Sequence, residues 1–278
     1  MIATHVYDLH CHSKASDGSL TPKELVLRAA QQGVTALALT DHDTVSGLAE
    51  AKACALENNI TLIPGIEISA TWQNQCFHII GLAIDPNYPI LLDATKNLQS
   101  LRLNRAEKIA YKLEQNKIFG ALDAVVKEAG DGMVTRNHFA EFLVSQNYAN
   151  NKQMAFDKYL AKGKPAYVST VWASLEEAVQ WITDAGGIAV LAHPLRYKLT
   201  TNWMGKLLSA FKEAGGKGIE VVTGHGNIDE SRRLAGYAKR FYLAGSAGSD
   251  FHTPNQWVEL GRLASLPAGI QPVWDLFN

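Results

Sequence analysis

Residues that bind cations recur along this 278-residue chain in short clusters. The first is Asp8-Leu9-His10-Cys11-His12. On a β-strand, alternate residues share a face, so Asp8, His10 and His12 would project together while Leu9 and Cys11 point away. A carboxylate and two imidazoles on one face pack a core badly and hold a metal well. By itself, a His-x-His alternation equally describes a surface strand. Further clusters tip the balance. Asp17 follows in the next loop, an apolar run ends in Asp41-His42-Asp43, and Glu67 stands between isoleucines in Pro64-Gly65-Ile66-Glu67-Ile68. His78 lies inside Phe77-His78-Ile79-Ile80, another apolar run ends in His193-Pro194, and Ser249-Asp250-Phe251-His252 again separates a carboxylate and an imidazole by one residue. Gathered on one rim without a cation, these groups would be repelling charges and unsatisfied polar atoms. With imidazoles and carboxylates but no thiolates, the set suits Mn²⁺ first, with Zn²⁺ or Fe²⁺ as alternatives, and disfavours a purely Mg²⁺ site. Nine candidate ligands (His10, His12, Asp17, His42, Glu67, His78, His193, Asp250 and His252) exceed what one ion uses, so two or three ions with a bridging carboxylate are implied.

The elements that must position these groups are marked by caps and periodicity. Thr21-Pro22-Lys23-Glu24 has a Thr cap, Pro at the first helical position and Glu three residues after the cap, and Gly33 stops the helix. Residues 34–40 read as a buried strand, 44–58 as a helix, and 60–68 and 77–84 as strands. Strand alternating with helix predicts a parallel sheet with helices outside it. From about 91 to 165 the pattern turns helical, with helices over 98–115, 121–129 and 137–147 and a short one ending near Lys162. This stretch reads as an all-helical, lid-like insertion. Afterwards Ser174-Leu175-Glu176-Glu177 caps a helix, and strands are predicted at 187–192, 218–223 and 241–245. The fold class is therefore α/β, with residues 1–97 and 166–278 forming a barrel and 98–165 the helical insertion. The strands number about seven, and in such barrels functional groups sit at the carboxyl ends of strands.

Composition narrows the function classes. The chain is 47% hydrophobic with a net charge of −1, which lacks the basic field that collects duplex nucleic acid. No apolar run reaches bilayer length and no secretory signal precedes the first strand, so a cytoplasmic protein without a membrane partner is expected. Cys11, Cys54 and Cys76 have no ligand spacing and are expected to be small buried hydrophobes.

The ordered set Asp-Leu-His-Cys-His-Ser, Ser-Asp-Gly, Leu-Thr-Asp-His-Asp-Thr, Pro-Gly-Ile-Glu-Ile-Ser, an internal His, Ala-His-Pro and Gly-Ser-Asp-Phe-His resembles the polymerase-and-histidinol-phosphatase (PHP) superfamily. It is most similar to the branch of 3′,5′-nucleoside bisphosphate phosphatases and ribonuclease AM, over essentially the whole chain. The resemblance implies a distorted (β/α)7 barrel with a helical insertion and a site for three divalent metal ions. It implies that His10, His12, Glu67 and Asp250 hold one ion, that Glu67, His78 and His193 hold a second, and that Asp17, His42 and His252 hold a third. Asp8 and Asp41 would then orient neighbouring histidines. Asp17, Glu67 and Asp250 are the catalytic carboxylates on this reading, while an ion-bound water or one of the aspartates protonates the leaving group. Oligomeric state is left open.

Substrate contacts are expected from cations near the rim. Arg136 and His138 in Thr135-Arg136-Asn137-His138-Phe139-Ala140 open a predicted helix, a natural phosphate clamp that also resembles the branch's Arg-x-His-Phe-Ala signature. Arg102, Arg105 and Arg196 are weaker candidates, expected at the surface. His5 and His225 are expected to be structural or exposed, and Trp72, Trp172 and Trp203 to be core. The implied activity is metal-dependent hydrolysis of nucleotide phosphoesters: the 3′-phosphate of 3′,5′-bisphosphonucleotides, the ends of short 5′-phosphorylated RNA, or both. A histidinol-phosphatase-like phosphomonoesterase, a non-catalytic polymerase-associated metal module and an amidohydrolase-type barrel are the alternatives.

Overall fold

The computed structural model describes residues 6–255 and 257–277, so His5 lies outside the described residues. The strands are β1 (Tyr7–Asp8), β2 (Ala36–Leu39), β3 (Thr61–Trp72), β4 (Gln75–Leu82), β5 (Ala173–Ser174), β6 (Ile188–Leu191), β7 (Gly218–Thr223) and β8 (Ala244–Gly248). They form one sheet in the order β1-β2-β3-β4-β6-β7-β8, with short β5 paired to β3. The edges meet. Leu9 N donates to Ala247 O at 3.0 Å and His12 N to Phe251 O at 2.9 Å, which brings the segment after β1 against the end of β8 and nearly closes a barrel. Ala36 and Ala38 point inward with Leu9, Ile80 and Val190, while Leu37 and Leu39 face the outer helices, as strand alternation requires.

The parallel pattern has one exception. Gln73 and Asn74 both adopt positive φ, 48° and 59°, and make the tight turn of a hairpin, so β4 runs antiparallel to both β3 and β6. Its beginning therefore lies at the rim where the other strands end. That is why His78, near the start of its strand and paired with Ser69, joins residues that follow theirs.

The outer helices are α1 (Pro22–Gln31), α2 (Leu48–Glu57), α7 (Leu175–Asp184), α8 (Thr201–Glu213) and α9 (Ile228–Phe241). The expected capping boxes form at Thr21–Glu24 and Ser174–Glu177. The strand predicted at 241–245 lies instead at Ala244–Gly248, because α9 continues to Phe241 and stops at Tyr242 with φ 53°. Between β4 and β5 come α3 (Pro89–Gln115), α4 (Ala121–Ala129), α5 (Arg136–Ser145) and α6 (Lys152–Ala155), the last running into a π-helical turn at Phe156–Leu160. α3 starts earlier than the 98 expected, with Pro89 supplying the preset φ of a first helical residue. These helices surround a cluster of their own, including Leu113, Val125, Phe139, Leu143 and Leu160. Among the described residues no helix is long and apolar enough to cross a membrane.

Candidate metal centre and anion cavity

β1 ends at Asp8, so the alternation read from the sequence continues in an extended segment rather than a long strand. The chain stays straight there because it borrows partners from both sides. Cys11 N donates to Thr40 Oγ1 at 3.1 Å, and His12 N reaches Phe251 O. His10 and His12 are consequently buried and aimed at one point. Their Nε2 atoms are 3.1 Å apart, each 3.3–3.4 Å from a Glu67 oxygen and from Asp250 Oδ1. Glu67 is fully buried, and its Oε1 lies 3.0 Å from His78 Nδ1 and 3.1 Å from His193 Nε2. Its Oε2 is 2.7 Å from His42 Nδ1, yet neither atom makes a hydrogen bond. Asp17 Oδ1, also buried without a hydrogen-bond partner, faces His252 Nε2 at 3.4 Å and His42 Nε2 at 3.9 Å.

These spacings fit cations. Two ligand atoms about 2.1 Å from one ion and about 90–110° apart lie about 3.0–3.4 Å from each other. Three groups bring ligand atoms within 4.8 Å of one another: His10, His12 and Glu67; His42, Glu67 and His78; and His12, Asp17, His42 and His252. The His42 ring touches Glu67 through one nitrogen and faces Asp17 with the other, so it stands between the second and third groups.

The electrostatics show how strongly these groups depend on one another. Burial alone would raise the pKa of Glu67, but His78, His42 and His10 hold it well below the usual carboxylate range. Asp17 is held down by His42 and His252, and Asp250 by His10 and Arg196, both likewise against burial. Burial also opposes a charged His78, yet Glu67 pushes it up to about 10. His42 goes the other way, to about 4, because burial outweighs its carboxylate neighbours.

The supporting aspartates act differently from the expectation. Among the described residues Asp8 touches no imidazole ring, although its Oδ1 accepts from the His10 backbone N–H at 3.4 Å. Its Oδ1 also accepts from Ser249 N at 2.8 Å and its Oδ2 from Gly261 N at 2.9 Å, which ties the two ends of the sheet together. Asp41 accepts from Ser13 Oγ and Ser16 Oγ, both at 2.7 Å, and meets His12 only through Ser16, whose Oγ is 3.5 Å from His12 Nδ1. Glu220, unremarked in the sequence, lies fully buried against His10, with its Oε1 2.9 Å from Nδ1. The signal was present, since Gly-Ile-Glu-Val-Val sets a carboxylate in an apolar strand just as the Glu67 segment does.

Beside the cluster is a cavity of about 370 Å³ whose walls include Asp17, His42, His78 and His252 together with Arg105 and Arg136. Among the described residues Arg136 makes no ion pair; its guanidinium lies over the Phe156 ring at 5.7 Å. Among the described residues the one hydrogen bond of Arg105 goes to Val168 O at 3.5 Å, its Nε is buried without a partner, and burial followed by the Arg136 and Arg102 charges lowers it to about 9. Uncompensated guanidinium groups held this close favour an anion between them.

Other expectations need correction. Arg102 is buried rather than superficial, with Nε 2.7 Å and a terminal nitrogen 2.6 Å from Asp43 Oδ2, and Ser69 Oγ at 3.0 Å. Arg196 is at the surface as expected, and there it pairs with Asp250. His138 does not line the cavity: its Nδ1 accepts from Thr135 N at 3.0 Å and completes the α5 cap. Cys76 and Trp203 are exposed, whereas Trp172 is buried under the Arg102 and Arg105 guanidinium groups.

The chain is similar to known proteins over nearly its whole length. The chain is 46% identical over 274 residues to the 5′-3′ exoribonuclease of Haemophilus influenzae, covering 99% of this chain and 100% of that protein. It is 43% identical over 269 residues to the 3′,5′-nucleoside bisphosphate phosphatase of Chromobacterium violaceum, covering 96% and 94%. A solved structure from Bifidobacterium adolescentis described as a metal-dependent phosphoesterase superposes with a TM-score of 0.81 at 27% identity, covering 97% of this chain and 93% of that one. Fold and site thus define a phosphoesterase, a hydrolase of phosphoric esters. More narrowly, the family described as PHP domain matches residues 8–224, and the chain belongs to it.

Proposed function

We propose that this phosphoesterase hydrolyses the 3′-side phosphoester of nucleotides that carry a 5′-phosphate, either 3′,5′-bisphosphonucleotides or short 5′-phosphorylated RNA. The observation that carries the reading is one cavity lined both by candidate metal-ligating groups and by Arg105 and Arg136, which make no ion pair among the described residues. A nucleotide with a phosphate at each end matches that combination, and relatives named for both activities support it.

On this reading His10, His12, Glu67 and Asp250 hold one ion, Glu67, His78 and His193 a second, and Asp17, His42 and His252 a third, with Mn²⁺ the leading choice. When bound, such ions supply Lewis acidity and charge neutralisation for an in-line displacement at phosphorus. The carboxylates of Asp17, Glu67 and Asp250 fix where that charge sits. Arg105 and Arg136 clamp the distal phosphate, and Trp172 backs Arg105 so that the guanidinium keeps its plane. Burial of the clamp strengthens it, because water competes less for the anion.

The test supplies purified chain and Mn²⁺ with adenosine 3′,5′-bisphosphate, with a short RNA bearing a 5′-phosphate, and with the same RNA ending in a 5′-hydroxyl. Phosphate release from the first, or mononucleotides from the second but not the third, is the expected result. Rapid hydrolysis of histidinol phosphate with no turnover of either nucleotide substrate would overturn it.

A further inference from the structure

Glu220 has no part in the reading just given, although it is a fully buried carboxylate within reach of the cluster. Its oxygens have separate partners. Oε1 is 2.9 Å from His10 Nδ1, and Oε2 accepts the backbone N–H of His193 at 2.5 Å. His10 follows β1 and His193 follows β6, so one side chain from β7 spans strand ends on both of its sides. Local structure makes room for this. A bulge follows Glu220 in the pairing of β7 with β8, the kind of irregularity that re-aims a side chain. On β8, Gly248 leaves the space: a Cβ there would stand 2.3 Å from His10 Cβ and 2.8 Å from Glu220 Oε1. His193 adopts the left-handed region, φ 30° and ψ 58°, which a non-glycine residue keeps only where its surroundings hold it.

We infer that Glu220 is a positioning residue that holds the His10 proton on Nδ1 and anchors the His193 backbone, keeping ligands of two different cations in register. The inference rests on the metal reading above. A backbone N–H can only donate, so Oε2 must accept from His193. Oε1 accepts from His10 Nδ1–H, which leaves the Nε2 lone pair facing His12, Glu67 and Asp250. Glutamine, with the same shape, cannot do both. Its oxygen must serve His193, so its amide NH₂ faces His10 Nδ1 and the ring proton moves to Nε2, where it blocks a cation.

The experiment titrates metal-free wild type and Glu220→Gln with Mn²⁺, following uptake directly, with thermal unfolding as a check that the variant folds. The expected result is Mn²⁺ affinity weakened about 10–100-fold, the usual scale for losing a partner that orients a ligand. Glu220→Asp, which keeps both acceptors, should bind more tightly than the glutamine variant. In Zn²⁺-loaded protein with ¹⁵N-labelled histidine, wild-type His10 should show a proton on Nδ1 and a metal-bound Nε2. That measurement needs no variant, so it decides the matter even if Glu220→Gln does not fold. Wild-type uptake of Mn²⁺ matched by Glu220→Gln, or a wild-type His10 without its Nδ1 proton, overturns the inference alone. Wild type that takes up no Mn²⁺ overturns the metal reading and the inference with it.

Discussion

Thr135 and Asp17 join the helical insertion to the barrel rim. Thr135 Oγ1 donates to Asp17 Oδ2 at 2.9 Å, while the other oxygen of Asp17 faces His252 and His42. Asn137 Nδ2 adds a second bond to the same Oδ2 at 2.8 Å. The backbone closes the contact, since Met133 N donates to Ala15 O at 3.0 Å. The residue that caps α5 is therefore also the residue that orients a proposed metal ligand.

Thr135→Ala should remove both functions. Loss of the cap should lower stability by about 1 kcal/mol. Loss of the bond to Asp17 should lower kcat/KM by about 10–100-fold, the scale for partners that orient a ligand. Thermal unfolding and steady-state kinetics together check this. A destabilised variant with wild-type kcat/KM would restrict Thr135 to capping.

Glu67→Gln should be far more damaging to activity than to the fold. The carboxylate meets five imidazoles, from His10, His12, His42, His78 and His193. Removing its charge should cut kcat by more than about 100-fold, beyond what orienting partners contribute. It should also reduce the number of Mn²⁺ ions retained after gel filtration. Full Mn²⁺ retention would argue against a bridging role.

Arg136→Ala should act on substrate choice. A hydrogen bond to a charged group is worth about 1.5–3 kcal/mol, so kcat/KM for a 5′-phosphorylated RNA should fall about 10–100-fold. The 5′-hydroxyl version should change little, and the ratio of the two is the measurement. An equal fall for both substrates would remove Arg136 from the clamp.

The pH dependence follows from rings pushed in opposite directions. Burial disfavours a charged His252, but Asp17 and Asp250 raise it to about 9, and Glu67 raises His78 to about 10. Each raised ring stabilises the metal-free fold fully below its unfolded value of about 6.5. That stability is lost as pH rises through about 9 for His252 and about 10 for His78. His42, depressed to about 4 by burial, costs stability as pH falls below about 6.5. Metal-free protein should therefore unfold at lower temperature at pH 10 than at pH near about 6.5. Mn²⁺ affinity should move the other way, rising with pH as bound ions displace ring protons. Melting curves and Mn²⁺ titrations across this range check both signs.

Much of the site was legible because its signals are local. A cap is written within four residues, as at Thr21–Glu24, and a strand end is written as an apolar run stopping at a polar cluster. The order of His, Asp and Glu groups along such ends was enough to expect one convergent rim. Less could be read where the partner is distant. Arg102 reads as a charge on a helix, and only the folded chain shows it buried against Asp43, 59 residues away. His138 sits in a motif that reads as a clamp, but the nearest group it can satisfy is its own helix's first turn.

By itself the sequence determined which chemistry is present: imidazoles and carboxylates without thiolates, ordered along alternating strands and helices, with arginines in a helical insertion. Only the tertiary structure decided how they meet. The Gln73-Asn74 turn reverses β4 and so delivers His78 to the rim. Sheet closure sets Glu220 against His10, 210 residues away, and docking of the helical insertion sets α5 against Asp17. The reason is physical. Backbone preference and side-chain periodicity act over a few residues, whereas the pairing of strand ends depends on which way each strand runs and where the barrel shuts.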